Sequence, residues 1–379
     1  MSRVKGAVLL AIVATLSLGL TACSKTKNNN NSSGSGGGST AAGKQKPVTM
    51  WVDSDGCETA SQYCTVFLTT VLKNDQDAVH LAVANASAGI YPKTDTLGDL
   101  ANGGTGLAPF HQFDSKVSSE LKGELDKIKQ DIISGTIKIT SPSQPTGNDK
   151  LTPPASGGNA NYKACMVTDT GGIDDKSFNA AAWAGLQAAQ SDGKAKVSYV
   201  QSKTQTDYVP NINALLKQKC QLIIGVGGLM ADAINNAAKK NPATHFAIVD
   251  SNGNGTNVQG LQINTAQSGF LGGYLAAGYS KSGVVATYGG LNIKPVTVYM
   301  DGFWEGVQYY NKQKGKSVKV LGWDETNQKG GTFAGSFTDQ GKGQQITQNF
   351  INQGADVIFP VAGGTGLGSA AACQSASGS

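Results

Sequence analysis

The chain has 379 residues, with 31 Lys and Arg against 26 Asp and Glu, a formal charge of +5, 39% hydrophobic residues and six cysteines. A balance this near neutral, with no clustered basic face, excludes a nucleic-acid footprint. About 330 residues follow the polar N-terminal stretch, more than one typical core accommodates, which predicts two lobes.

Taken in order, Met1 to Gly19 begins with Arg3 and Lys5 and runs into AVLLAIVATLSLGL, shorter than a membrane-spanning helix requires. It reads as a secretion signal. Leu20, Thr21, Ala22 and Cys23 have the form of a bacterial lipobox, so residues 1–22 would be removed and Cys23 lipidated. Two or more acyl chains suffice for stable anchoring, which predicts a lipid-anchored protein on the extracytoplasmic face of the cell membrane. Loss of Arg3 and Lys5 lowers the formal charge from +5 to +3. Residues 23–47, with NNNNSSGSGGGST, are too polar to bury a core and read as a flexible tether.

Val48 to Val52 is a β-branched apolar run ending at Asp53-Ser54-Asp55-Gly56, a strand delivering acids to a turn. Asp53-x-Asp55 alone lacks the remaining oxygen ligands of a calcium loop. Tyr63 to Leu72 reads as a helix carrying Phe67, Leu68, Val71 and Leu72 and ending near Lys73. Helical patterns follow over 76–90 and from Ser118 to Gly135, the latter with Leu121, Leu125, Ile128 and Ile132 on one face. The Pro/Ser/Gly/Asn-rich stretch 141–162 reads as a linker.

Residues 164–179, ACMVTDTGGIDDKSFN, form the centre of the chain. A buried strand at Cys165, Met166 and Val167 stops at a Gly-Gly loop between Asp169 and Asp175. A helix with Trp183, Leu186 and Ala189 on one face begins at Ser177. Such strand-to-helix junctures are where open α/β sheets hold ligands; the plainer reading is a turn with Asp174 or Asp175 as a helix cap. Strands at 197–201, 221–228, 245–250 and 258–264 then alternate with helices such as VPNINALLKQ and MADAINNAAKK. A second series starts at GVVATYGG and continues through FWEGVQYYNKQ, SVKVLGW, QQITQNFINQ and VIFPVAGG. Alternation of this kind predicts parallel sheets with right-handed crossovers.

Cys57 and Cys64 lie seven apart in an exported chain and are expected to pair. Cys165 and Cys220 either pair across the sheet or stay buried thiols, and Cys373 is left over. Scattered histidines and the absence of a short Cys spacing argue against a metal site. GGTGLG at 363–368 lacks dinucleotide-fingerprint spacing and no P-loop pattern occurs. No cofactor is expected. An enzymatic alternative, a hydrolase using Asp169, Asp174 and Asp175 as general acid and base, is the weaker reading.

VTDTGGIDDKSFN followed by AAWAGL resembles the opening motif of the basic membrane protein family of substrate-binding lipoproteins, which includes purine nucleoside receptors of ABC importers. FAIVDS, DGFWEGV, SFTDQGKGQ, VIFPVAGGTG, VDSDG and ANGGTGLAPF extend the resemblance across nearly the whole chain after residue 47. In the family, the segment similar to 48–140 comes last, whereas here it comes first. The resemblance therefore implies a circularly permuted type I periplasmic-binding-protein fold, α/β, with two doubly wound parallel-sheet lobes joined by a hinge. Expected segments are 48–140, contributing to both lobes, the linker 141–162, a first lobe at 163–280 and a second at 281–379. It further predicts that the strand after Pro47 lies beside VIFPV.

The same resemblance implies a non-enzymatic protein that closes on a nucleoside, passes it to an ABC permease and ATPase, and acts as a monomer. A sensory receptor or a sugar-binding protein is the alternative. Phe178 and Phe359 match the aromatics that sandwich the base, while Asp169 and Asn179 match positions at its edge. Asp250, Asp53 and Lys73 match positions around the ribose, with Gly364 allowing close backbone approach. Three carboxylates in one cleft would repel a phosphate, which independently favours an uncharged nucleoside over a nucleotide.

Overall fold

A computed structural model describes residues 45–378. The signal segment, Cys23 and the tether up to residue 44 lie outside those residues. The strands are β1 (Val48–Asp53), β2 (Phe67–Lys73), β3 (Thr96–Gly98), β4 (Thr105–Leu107), β5 (Asp149–Lys150), β6 (Lys163–Val167) and β7 (Lys196–Val200). They continue with β8 (Leu222–Val226), β9 (His245–Val249), β10 (Val258–Ile263), β11 (Val284–Gly289), β12 (Lys319–Leu321) and β13 (Val357–Val361). Helices are α1 (Gly56–Thr59), α2 (Asp75–Ser87), α3 (Ser119–Ile133), α4 (Phe178–Ser191) and α5 (Tyr208–Lys217). After them come α6 (Ala231–Lys240), α7 (Thr265–Tyr279), α8 (Lys294–Lys314), α9 (Gln340–Asn352) and α10 (Gly366–Gly378).

Two sheets form. The first lobe has the order β5-β3-β10-β9-β8-β6-β7 and the second β12-β11-β13-β1-β2-β4. Every pairing is parallel except β2 with β4. Parallel strands need both faces covered, and alternate residues divide accordingly. Ala164 and Met166 of β6 pack with Ala78, Val79 and Leu186 of α2 and α4, while Cys165 and Val167 pack with Ile212 and Ile234 of α5 and α6. In the second lobe Met50 and Val52 face α7 and α8, and Trp51 faces α9 and α10.

The strand after Pro47 does lie beside VIFPV: β1 pairs with β13 in parallel, Val48 opposite Val357. Lys46 Nζ donates to the Ser377 carbonyl, so the described chain's first and last segments meet. Residues 48–140 serve both lobes, since β1, β2 and β4 belong to the second sheet and α2 and β3 to the first. Asn74 N donates to Gly104 O and Asn264 N to Gly98 O where the chain crosses between lobes, a hinge of neighbouring backbone segments.

Three expectations need correction. Residues 67–73 form a strand, not a helix; Thr69, Thr70 and Val71 favour extended backbone, and a strand covered on both faces has no alternation to reveal it. The first lobe ends near Asn264 rather than at 280, because Ala266, Phe270 and Leu271 of α7 pack with Val48 and Met50 of β1. The 141–162 segment is more than a connection. Ser141 Oγ donates to Asp301 at 2.6 Å, Ser143 Oγ meets Thr297 Oγ1 at 2.7 Å, and Asp149–Lys150 adds β5 to the first sheet.

Cys57 pairs with Cys64 and Cys165 with Cys220; Cys373 is a buried free thiol. Helices α7 and α8 meet backbone to backbone. A side chain at Gly273 would run into the Phe303 carbonyl, and one at Gly302 into that of Ala266. Gly273→Val should therefore cost about 1–3 kcal/mol through overpacking, read as a lowered midpoint in urea denaturation. An unchanged midpoint would contradict this close approach.

Candidate functional site

The carboxyl ends of strands from both lobes open on one cleft with an empty volume of about 630 Å³. Asp53, Lys73, Asp169, Phe178, Asn179, Asp250 and Gly364 all line it. Phe359 does not. It is fully buried on β13, stacked on Phe303 at 5.2 Å between centroids. On β13, Val357, Phe359 and Val361 face the α7–α8 side, and Phe359 sits beneath Val361, which does line the cleft. Besides the buried Tyr299, the second lobe presents the ring of Phe337, half-buried in the loop before α9. Sequence reasoning passed over it although it lies within SFTDQGKGQ, because a lone loop aromatic has no periodicity.

Asp175 caps α4, as the plainer reading of the central loop allowed. Its carboxylate accepts from Ser177 N, Asn179 N and Ala180 N at 2.7–3.1 Å and from Asn179 Nδ2 at 3.0 Å. Asn179 Nδ2 also donates to Asp169 Oδ1 at 2.7 Å, and Gly171 N donates to that oxygen at 2.8 Å. The cap thus fixes Asn179, and Asn179 fixes Asp169 through its Oδ1.

Asp53 and Asp250 follow the same design in opposite lobes. Each ends a strand in the left-handed region, with φ of 68° and 66°, a conformation aspartate tolerates better than most residues at a cost of roughly 1–3 kcal/mol. Asp53 accepts from Tyr299 Oη at 2.6 Å and from Ser177 Oγ. The Ser177 bond joins the two lobes, and Trp51 Nε1 adds a longer contact to the Lys176 carbonyl at 3.4 Å. Asp250 pairs with Lys73 Nζ at 2.5 Å, a further bond between lobes. Tyr299, on α8 and buried, gave no sequence signal because its approach to Asp53 depends on how closely α8 packs on α7.

Lys73 is 3% exposed and lies over one face of the Phe178 ring, 4.5 Å from its centroid. Burial works against its charge, but Asp250, Asp75 and Asp53 together hold its pKa above the ordinary lysine value. Behind it Asp75 is fully buried, and neither carboxyl oxygen has a hydrogen-bond partner among the described residues. Burial pushes Asp75 well above the usual carboxylate range, against the pull of Lys73. Burial likewise raises Asp169, opposed by its bonds from Asn179 and Gly171.

Burial pushes Asp175 up to about 6, outweighing its four hydrogen bonds. A folded-state pKa above the unfolded one means that its contribution to stability is full below the unfolded carboxylate value and lost as pH rises through about 6. Asp175→Asn keeps a capping oxygen and removes the titration. The stability of the native chain relative to this variant should fall between pH 4 and pH 6.5 in thermal melts; a constant difference would contradict the assignment.

Asp55, Cys57 and His111 offer ligand atoms within 4.8 Å of one another, but the Cys57 sulfur is committed to Cys64. Among the described residues no thiolate is free there.

A family model described as ABC transporter substrate-binding protein PnrA-like matches residues 162–377. The CD4+ T-cell-stimulating antigen of Listeria innocua is 32% identical over 247 residues, 64% of this chain and 64% of that protein. The ABC transporter nucleoside-binding protein BmpA of Lactococcus lactis is 32% identical over 211 residues, 54% of this chain and 56% of it. The chain thus spans between half and two thirds of the length of these relatives. An ABC transporter solute-binding protein from Aeropyrum pernix K1 superposes with a TM-score of 0.51 at 24% identity over 57% of this chain and 59% of that one, a likeness of fold.

Proposed function

We propose that this chain, which belongs to the family of PnrA-like ABC transporter substrate-binding proteins, binds an uncharged nucleoside, a purine nucleoside above others, between its two lobes. One observation carries the reading: Phe178 and Phe337, from different lobes, line a single cleft whose other polar lining is dominated by aspartates. Stacking between two rings suits a flat heterocycle. The base takes the Phe178 face that Lys73 leaves open, with Asp169 and Asn179 at its edge. Asp53, Asp250 and Lys73 hold the pentose, since carboxylates accept strong hydrogen bonds from sugar hydroxyls, and Gly364 lets the backbone approach.

A nucleoside is named for the Lactococcus lactis relative, which supports the ligand class here. In this role the protein is a monomer, anchored through Cys23 on the extracytoplasmic face, that passes its ligand to an ABC permease whose ATPase does the hydrolysis. Three observations support a circularly permuted segment order: β1 lies beside β13, the described ends meet at Lys46 and Ser377, and the family match begins at residue 162.

Isothermal titration calorimetry with adenosine, guanosine, inosine, cytidine, uridine and ribose tests the ligand. Saturable one-to-one heats with a purine nucleoside, and none with ribose, are expected. Saturation by ribose with no response to any nucleoside would overturn the reading.

A further inference from the structure

Beyond the Lys73–Asp250 pair lies a second compartment with an empty volume of about 680 Å³. Lys73, Asp250 and Pro295 line both spaces, so the ion pair is their shared wall. The far wall is of a different character from the cleft. Among the described residues it carries no aromatic ring, and its polar side chains include Ser143, Gln144, Thr146, Ser251, Asn252 and Gln262, hydroxyls and amides that each donate and accept. Thr265, also lining it, is fully buried, and its hydroxyl has no hydrogen-bond partner among the described residues. The charges there are the mutually compensated Lys73 and Asp250 and an exposed Lys294. Residues 143–146 of this wall come from the 141–162 segment, held by the Ser143–Thr297 bond and by Gly147 N donating to Gln262 Oε1 at 2.9 Å.

We infer that this compartment is a subsite for a neutral, hydroxyl-rich extension at the sugar end of the ligand, such as a second glycosyl unit on the 5′ oxygen of the pentose. The inference rests on the nucleoside reading, which places the pentose against the same Lys73 and Asp250 that line the compartment. Hydroxyls and amides match partners that both donate and accept, whereas a phosphate would bring fixed negative charge toward Asp250 and Asp53.

The test is calorimetry on the full chain with a purine nucleoside, its 5′-O-glucosyl derivative and its 5′-monophosphate, each against the native protein and Thr146→Trp. Thr146 is exposed at the compartment's wall and does not line the cleft. The native protein should bind the glucosyl derivative within about threefold of the parent and the monophosphate roughly tenfold or more weakly. Thr146→Trp should weaken the glucosyl derivative by about tenfold or more and leave the parent unchanged. Exclusion of the glucosyl derivative by the native protein, equal binding of it by the variant, or tighter binding of the monophosphate would each overturn the subsite. Failure of the parent nucleoside itself would instead sink the nucleoside reading, and this inference with it.

Discussion

Replacing Lys73 with methionine should destabilise the folded protein by about 3–5 kcal/mol, the usual cost of leaving a buried charge without its partner, and should abolish ligand binding. Lys73 is held at the hinge end of β2, where Asp250, Asp75 and Asp53 all act on it. Without it, Asp250 loses its partner at 2.5 Å, and Asp75, whose carboxyl oxygens have no hydrogen-bond partner among the described residues, loses the attraction of Lys73. The bond between lobes made by Lys73 and Asp250 also disappears. Urea unfolding of the native and variant proteins measures the first effect and calorimetry the second. A variant as stable as the native chain would show that the Lys73–Asp250 pair is not a structural centre.

Phe337→Ala and Phe178→Ala should each weaken nucleoside binding by about 2–4 kcal/mol, combining lost apolar burial with lost stacking, or roughly 30- to 1,000-fold. Both rings are half-buried, so their removal should leave the fold largely intact. Phe359→Leu supplies the contrast. Fully buried against Phe303, Phe359 should lower the unfolding midpoint while leaving the affinity of the folded protein nearly unchanged. If Phe359→Leu cost affinity and Phe337→Ala did not, the second ring of the site would be the one on β13.

The contrast between these two phenylalanines shows where a sequence can and cannot be read. Phe359 precedes a glycine-rich turn at a strand's end, which suggests a cleft residue, but its orientation depends on strand parity: Val361, two residues on, takes the cleft end of the same face. Phe337 sits in a loop whose path is set by contacts distant in sequence, such as Thr365 N donating to its carbonyl at 3.0 Å. Asp53, Asp169 and Asp250 were legible because each follows a β-branched apolar run, and such runs mark buried parallel strands.

The same logic explains the elements that were missed. Helix α7 is buried on nearly every side, including Ala266, Phe270, Leu271, Tyr274 and Leu275, so no polar face interrupts its sequence to give a helical period. Strand β2 places Phe67, Leu68, Val71 and Leu72 at spacings that imitate one face of a helix. Only its neighbours β1 and β4, one before it and one beyond two hinge crossings, decide the matter. Long-range pairing, not local propensity, fixes both.

A crystal structure of the full-length protein grown with the purine nucleoside that saturates it in calorimetry tests the central claim most directly. The base should lie between Phe178 and Phe337, with its pentose hydroxyls within hydrogen-bond distance of Asp53 and Asp250. A nucleoside bound elsewhere on the molecule, with those two rings in contact with no part of it, would contradict the account.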